Sequence, residues 1–335
     1  MSEPLIEHHR RLAAGGLAMS TVGYCAVSAD GRAYADQLLA RAELLPGLQR
    51  LVQAVHGGGA AACLQLVHCG FFASPGVIDR RPLGASRKLC LYRGAVCAEM
   101  TPAQIEEKTA DFAAAARLAR EAGFDAMELH AGHGYLLSQF LSPWTNRRRD
   151  RYGGSLENRL RFPAEVVRRV RAAVGADFPV LLKLNQRDGF PGGLELEEAV
   201  EVAQGFQRAG ASALIPSCGF TARRPLYMLR GNVPVREMAA NQSSALLRLA
   251  LGLFGNLFVP RDRYQPLFLL EGTRRIREAV DLPVICVLSR SATRISPRAC
   301  PAGRSTSRIV TRATAASLGG VRCISAERSL KPRPF

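Results

Sequence analysis

Short apolar runs alternate with helical patterns along most of this chain. Runs rich in Leu, Val, Ile and Ala that are bounded by Gly or Pro predict strands. The predicted strands are Leu17–Gly23, Ala61–Val67, Phe124–His130, Pro179–Asn185, Ala211–Ser217 and Pro283–Val287. Apolar residues at helical spacing predict helices at Leu38–His56, between Thr101 and Gly123, and at Asn158–Val174, Leu196–Ala209 and Glu271–Val280. Strands that are apolar at nearly every position are buried on both faces of a parallel sheet, so the alternation predicts an α/β fold.

The helix after Thr101 has the clearest local start signal. The Thr101 hydroxyl can accept a hydrogen bond from the first turn, Pro102 fits the first helical position, and Gln104 completes a capping box. Ile105 and Phe112 then mark its apolar face. The helix is therefore predicted from its own residues, independently of the sheet.

An open doubly wound sheet and a closed barrel both fit this alternation. No G-x-G-x-x-G sequence follows an early strand, which argues against a dinucleotide-binding domain of the Rossmann type. In a barrel, catalytic groups lie just after the strands, and here polar groups follow several strands. We interpret residues 1–287 as one barrel domain and residues 288–335 as an irregular basic tail or, alternatively, a remnant of the last strand–helix unit.

The chain is strongly basic, and much of the charge lies at its C-terminus. The 335 residues carry a formal charge of +17, and residues 281–335 hold nine Arg and one Lys against Asp281 and Glu327. A basic balance can indicate nucleic-acid binding. Because no nucleic-acid motif accompanies the charge and aromatic residues make up only 7% of the chain, we expect solvated Arg faces, a small-molecule substrate and no nucleic-acid partner.

The cysteines and the apolar stretches indicate in which cellular compartment the protein is expected. The nine cysteines are irregularly spaced and form no C-x-x-C pair, which favours reduced thiols over a disulfide framework or a zinc site. The N-terminus is polar and has no apolar signal region. The most apolar stretch, Leu246–Pro260, contains Arg248 and is too short to span a bilayer. We therefore expect a soluble cytoplasmic protein with no bound metal and no membrane partner.

The most informative segment is Glu128–Arg159, which reads ELHAGHGYLLSQFLSPWTNRRRDRYGGSLENR. His130 ends a predicted strand, and His133 and Tyr135 follow in a Gly-rich turn. Two imidazole N–H donors can polarise a carbonyl or nitro oxygen, and a phenol that is protonated at neutral pH can deliver a proton. A metal pair or buried structural histidines would be the alternative, but no carboxylate with metal-ligand spacing completes a zinc site.

This segment closely resembles the signature of the old yellow enzyme family, the NADH:flavin oxidoreductases, and the resemblance extends more diffusely over residues 8–287. It implies a (β/α)8 TIM barrel that binds FMN and is reduced by NADH or NADPH. It also implies that His130 and His133 hold the substrate oxygen, that Tyr135 donates a proton to the α-carbon, and that the β-carbon receives hydride from the flavin. The matched polar residues between Asn146 and Arg159 are interpreted as structural, and Trp144 as lining the substrate pocket or packing the loop.

The resemblance also implies contacts to the flavin. Gln65, in QLVHCG, matches a Gln that faces the pyrimidine edge, and Lys183, in PVLLKLN, matches a cation near N1 and O2. A fixed positive charge there stabilises anionic reduced flavin. A Lys within a strand that is buried on both faces needs a partner, and this requirement favours the flavin as the partner of Lys183. The family usually has Arg where this chain has Phe71.

Two regions depart from the family pattern. The family's first strand has no counterpart in MSEPLIEHHRR. Where the family has a Gly-Gly turn, a helix and a strand, residues 288–320 have a sequence that resembles an out-of-frame translation. If residues 321–335 rejoin the family's last strand and turn, Arg328 contacts the FMN phosphate. The leading hypothesis is an FMN-dependent reductase of enone-like or nitro acceptors. The alternative is an inactive barrel remnant that binds FMN weakly or not at all.

Overall fold

A computed structural model describes residues 1–224, 227–228, 235–240, 248–249, 252–253, 255, 262–263, 265, 267–287 and 322–324 of the chain. Its centre is a five-stranded parallel sheet whose spatial order follows the sequence order. The strands are β1 (Met19–Ala26), β2 (Ala61–Val67), β3 (Ala126–Ala131), β4 (Val180–Asn185) and β5 (Ala213–Ser217). Next to β5, the strand β6 (Ile285–Val287) continues the order through a bridge between Leu214 and Val284, and it pairs in parallel with β7 (Arg322–Ile324).

Helices connect the successive strands. They are α1 (Glu3–Ala14), α2 (Leu45–Gly57), α3 (Pro102–Glu121), α4 (Leu136–Leu141), α5 (Leu156–Val174), α6 (Leu196–Arg208), α7 (Val235–Ala240) and α8 (Leu270–Glu278). Shorter helical turns lie at Ala29–Gly31, Ala42–Leu44, Gly70–Phe72 and Pro75–Ile78. Two small pairings, Leu83–Gly84 with Ala98–Glu99 and Leu89–Cys90 with Ala95–Val96, shape the long connection between β2 and α3. Parallel strands in sequential order with helical crossovers are the arrangement of a TIM barrel wall.

The strand and helix predictions from sequence are confirmed, with two differences. The helix predicted at Leu38–His56 begins only at Leu45, because residues 38–40 run extended beside the end of β1, where Ala26 bonds to Leu38 and Ala40 through the backbone. The polar N-terminus forms α1, which buries Ile6 and Ala13. Its apolar residues are few, so only packing against α2 and β1 reveals the buried face.

Both faces of the sheet are buried, as the continuous apolar strands predicted. Alternate residues on the outer face, such as Leu64 and Leu182, pack with Phe112 and Val167 of the helices in the main core. The opposite face carries a second cluster, formed by Cys63, Ala126, Leu181, Ala213 and Ile215. Because successive residues of a strand point to opposite faces, this second cluster fills the interior of the barrel.

The loop between β3 and α5 is held by buried polar groups. The Asn146 amide donates to the carbonyls of Phe140 and Tyr152 at 2.8 and 2.7 Å. Arg159, at the start of α5, donates to the Leu141 carbonyl and forms an ion pair with Glu198 of α6. These contacts give Asn146 and Arg159 the structural role expected for them.

The capping box at α3 is also confirmed. The Gln104 N–H donates to the Thr101 hydroxyl at 3.2 Å, and the Thr101 N–H donates to the Gln104 side chain at 2.9 Å. The cysteines whose side chains the structure describes are buried and form no disulfide; they are Cys25, Cys63, Cys69, Cys90, Cys97, Cys218 and Cys286. Over the described ranges, no helix combines the length and the apolar character that crossing a membrane requires. Arg328 and most of residues 288–335 lie outside the described residues.

Candidate active site

Polar side chains from four neighbouring strands meet at the carboxyl end of the sheet. Cross-strand register places Gln65 of β2 opposite Glu128 of β3, and His130 of β3 opposite Lys183 of β4. Ser217 is the last residue of β5. Since the carboxyl ends of parallel strands share one edge, these groups converge at the position where barrel enzymes place their chemistry.

His130, His133 and Tyr135 form one cluster at this edge. The His130 ring is 4.8 Å from the His133 ring and 4.7 Å from the Tyr135 ring, measured between centroids, and both pairs are edge-to-face. His130 and Tyr135 are buried, and His133 is partly buried. The structure therefore brings together all three residues that the sequence assigned to catalysis.

Hydrogen bonds define the roles of the histidine nitrogens. The Gly132 N–H donates to Nδ1 of His130 at 3.3 Å, so the neutral ring carries its proton on Nε2, which has no partner among the described residues. Nε2 of His133 lies 2.7 Å from the Ser217 hydroxyl. When that hydroxyl donates, the neutral His133 ring carries its proton on Nδ1. Each imidazole then has one N–H for a ligand.

The turn that carries His133 is held in a left-handed conformation. His133 has a φ of +55°, which few residues other than Gly adopt. Its N–H donates to the Asn185 side chain at 3.0 Å, and its carbonyl accepts from the Thr221 N–H at 3.0 Å. Gly134, with a φ of +79°, lies so close to Phe220 that a Cβ would be 2.5 Å from its ring. The backbone on both sides of His133 is therefore fixed.

Burial keeps both imidazoles neutral. It lowers the pKa of His133 to about 3, and the positive charge of Lys183 adds to that effect. Burial likewise lowers the pKa of His130 well below its usual value, with smaller contributions from His133 and Lys183. Neutral imidazoles can donate hydrogen bonds at neutral pH without a net charge in the site.

Tyr135 is protonated at neutral pH and has a second tyrosine beside it. Burial raises the pKa of Tyr135 to about 12. Tyr24 of β1 packs against it with ring centroids 5.4 Å apart, and burial also raises the pKa of Tyr24. Tyr24 is a site residue that sequence reasoning missed, because a tyrosine within an apolar strand has no local signal that distinguishes it from the core.

Lys183 has a partner within the protein, and its contact with the flavin stays a prediction. Its ammonium is 2.8 Å from the carboxylate of Glu128, which is 2% exposed. The Gln65 amide donates to the same carboxylate oxygen. Gln65 and Lys183 thus both contact Glu128 inside the barrel. Glu128 lies within the ELHAGHGY segment, but its role depends on the register between β3 and β4.

The donor set at this edge fits a flavin ring. Lys183 offers a cation whose side chain remains 20% exposed, and Gln65 offers an amide that can pair with both N–H and C=O groups. Both lie on strands adjacent to His130. A cation stabilises the anionic reduced form of a flavin, and an amide can pair with the N–H and C=O groups at the pyrimidine edge of the flavin. Lys183 and Gln65 supply these two groups.

Trp144 packs in an aromatic cluster beside the site. Its ring centroid lies 6.4 Å from Phe71, 5.3 Å from Phe190 and 5.5 Å from Phe220. Phe71, Phe190 and Phe220 belong to the same buried cluster as Tyr135. Phe71, which replaces the Arg usual in the family, is therefore part of an aromatic wall.

A buried carboxylate holds the Asn185 side chain that accepts a hydrogen bond from the His133 turn. Asp188 is fully buried; it accepts from the Asn185 amide at 2.8 Å and from the Leu194 N–H at 2.9 Å. Asn185 in turn accepts from the His133 N–H. Burial raises the pKa of Asp188 to about 6. Asp188 is a further residue that the sequence did not single out.

Comparison with known proteins identifies relatives along most of the chain. The NADH:flavin oxidoreductase / NADH oxidase family model matches residues 1–215. A 4,4'-dithiodibutanoate disulfide reductase of Rhodococcus erythropolis is 38% identical over 286 residues, which cover 85% of this chain and 71% of that protein. The chain spans only 32% of the length of a metal reductase of Desulforamulus reducens and 36% of an NADH oxidase of Thermoanaerobacter brockii, to which it is 39% and 37% identical over 64% and 68% of its own length.

Solved structures agree with this assignment. A 2-naphthoyl-CoA reductase in complex with 2-naphthoyl-CoA matches with a TM-score of 0.72 and 26% identity, over 86% of this chain and 41% of that one. An old yellow enzyme homologue from Zymomonas mobilis matches with a TM-score of 0.66 and 21% identity, over 86% of this chain and 73% of that one. These structures confirm the TIM-barrel fold. The family match confirms the old yellow enzyme resemblance, with FMN as cofactor and NADH or NADPH as reductant. The chain belongs to the NADH:flavin oxidoreductase / NADH oxidase family.

Proposed function

We propose that this chain reduces activated C=C bonds of enone-like acceptors, or nitro groups, at the carboxyl edge of its barrel. The observation that carries the proposal is the cluster of His130, His133 and Tyr135, in which two neutral imidazoles and one protonated phenol lie in contact. Bound FMN, reduced by NADH or NADPH, supplies the hydride.

The two imidazoles bind and polarise the acceptor oxygen. The Nε2–H of His130 is the donor that its other hydrogen bond leaves available, and the Nδ1–H of His133 is available when the Ser217 hydroxyl donates to Nε2. Negative charge grows on a carbonyl or nitro oxygen as hydride adds to the conjugated carbon, and fixed donors stabilise it without reorganisation. Because both rings are neutral, the two imidazoles stabilise this charge through hydrogen bonds.

Tyr135 supplies the proton that completes the reduction. Hydride adds to the β-carbon and the phenolic proton goes to the α-carbon, so the saturated product gains two hydrogens and the phenolate is reprotonated from solvent. The raised pKa of Tyr135 keeps the proton on the phenol until charge develops on the acceptor. Gln65 and Lys183 hold the flavin ring edge, and Arg328, outside the described residues, is the proposed phosphate contact.

The alternative is an inactive barrel remnant with weak or no FMN binding. The two interpretations differ in a direct measurement, since the purified holoprotein of an active enzyme carries oxidised flavin absorbance. FMN retention is expected to depend on Arg328 and residues 288–320, which lie outside the described residues. The match of 85% of the chain to a disulfide reductase favours the active enzyme.

Substitution of Tyr135 by Phe tests the proposal. The variant should leave flavin reduction by NADH or NADPH unchanged and slow enone reduction by about 100-fold or more, because a general acid contributes roughly that much. Stopped-flow absorbance of the flavin measures the two half-reactions separately. Tyr152→Phe, which removes a buried tyrosine hydroxyl bound by Arg151 instead, is the matched control. Equal slowing of both half-reactions would exclude Tyr135 as the proton donor.

A further inference from the structure

Two cationic side chains lie against Trp144 at the rim of the aromatic cluster, and a third, Arg147, follows Trp144 three residues along the chain. The Lys88 ammonium lies 3.8 Å from the Trp144 ring centroid and donates to the Trp144 carbonyl at 3.0 Å. The Arg223 guanidinium lies 5.0 Å from the same ring and 4.8 Å from the Phe190 ring. Arg147 is near enough to Lys88 to lower its pKa. These residues come from three distant segments of the chain.

None of these three cations forms an ion pair with a carboxylate of the described residues. Cations elsewhere behave differently: Lys108 pairs with Asp30, Arg148 with Asp150, and Arg159 with Glu198. Even the neighbour of Arg223 along the chain, Arg224, pairs with Asp262. Burial and the charges of Arg147 and Arg223 lower the pKa of the partly buried Lys88, so the group is mutually repulsive until an anion joins it.

The cationic group lies one aromatic layer away from the catalytic turn. Phe220 packs on Gly134 and forms a bridge with His133 on one side, and its ring is 5.5 Å from the Trp144 ring on the other. Trp144 and Phe190 then carry Lys88 and Arg223 on their ring faces. The aromatic side chains of one cluster therefore connect the catalytic turn with the cations.

We propose that Lys88, Arg147 and Arg223 bind an anionic group of the acceptor, so that the enzyme prefers acceptors with a carboxylate or phosphate separated from the reducible bond by an apolar segment. This inference rests on the proposed function, since it assumes that the acceptor oxygen is held by His130 and His133. The cations would set specificity and orientation, while the histidines and Tyr135 perform the chemistry. A planar guanidinium and an ammonium on aromatic faces suit both carboxylates and phosphates.

Binding of matched phenols tests the inference without turnover. The phenol end mimics the acceptor oxyanion at the two histidines. The compounds are 3-(4-hydroxyphenyl)propanoate, its uncharged amide, the phosphate monoester of 2-(4-hydroxyphenyl)ethanol, and phenol. Titration calorimetry of the full chain with added FMN should show the carboxylate binding about tenfold tighter than the amide, with the preference weakening at high salt. Comparison of the phosphate with the carboxylate identifies which anion the cations favour.

Charge-removing variants assign the preference to residues. Lys88→Met and Arg223→Gln should each reduce the preference for the charged ligand severalfold and leave amide affinity unchanged. Arg223 is exposed, so its variant should fold even if Lys88→Met does not. Arg208→Gln removes an exposed charge at the far end of α6 and should retain the full preference. Equal affinity for carboxylate and amide in the unmodified protein would overturn the inference. Absence of phenol binding altogether would instead remove the oxyanion site, and with it both proposals.

Discussion

The ion pair between Lys183 and Glu128 makes a quantitative prediction about the barrel interior. Its ammonium and carboxylate are 2.8 Å apart, and the side chains are 20% and 3% exposed. At an effective dielectric constant of about 20, this separation corresponds to an attraction of about 6 kcal/mol, from which the desolvation of both groups must be subtracted. Removing one partner of a buried pair costs about 3–5 kcal/mol, because the other charge stays buried.

Lys183→Met should therefore destabilise the flavin-free protein by about 3 kcal/mol. This is the lower end of the range for breaking a buried pair, because Gln65 still donates to the Glu128 carboxylate. Glu128→Gln should cost only about 1 kcal/mol, since the partly exposed ammonium can reach water. The double variant leaves no uncompensated charge, so it should be more stable than Lys183→Met alone. The coupling between the two sites should then be about 2 kcal/mol.

Urea unfolding at neutral pH, followed by far-ultraviolet circular dichroism, measures all four proteins. A loss of about 3 kcal/mol shifts the urea midpoint by about 1 M or more. In the flavin-loaded protein, Lys183→Met should lower the flavin reduction potential because it removes a cation. Glu128→Gln should raise that potential because it removes the carboxylate that balances the charge of Lys183. A Lys183→Met midpoint equal to that of the unmodified chain, or a double variant no more stable than Lys183→Met, would refute the reasoning.

Two further perturbations follow from the site. His130→Ala should weaken binding of phenols by about 3 kcal/mol, because one oxyanion donor is lost; unchanged affinity in calorimetry would remove His130 from the site. Burial raises the pKa of Asp188 to about 6 from 3.8, so the unfolded chain loses this proton first as the pH rises, and the group should lower the free energy of unfolding by about 2 kcal/mol between pH 4 and pH 7. Asp188→Asn should flatten this part of the stability profile, and identical pH profiles for both proteins would contradict the assignment.

The catalytic turn was predictable because its information is local. His130, His133 and Tyr135 lie within six residues of one another, directly after a strand that its apolar run already identified. Their spacing alone places them together, whatever the rest of the barrel does. The alternation of strands and helices was predictable for the same reason, since the periods of two and 3.6 residues can be read within a short window.

The partners of charged groups could not be predicted in this way. Lys183 meets Glu128 only because β3 and β4 pair in the observed register, and a shift by one residue would turn either side chain to the other face. Lys88, Arg147 and Arg223 come together from three connections that no local pattern relates. The sequence by itself determined the strands, the helices and the catalytic turn, because backbone periodicity and neighbouring residues act over a few positions. Only the tertiary structure decided which charged groups form ion pairs and which cations come together without a carboxylate of the described residues, because that depends on contacts between residues far apart in the chain.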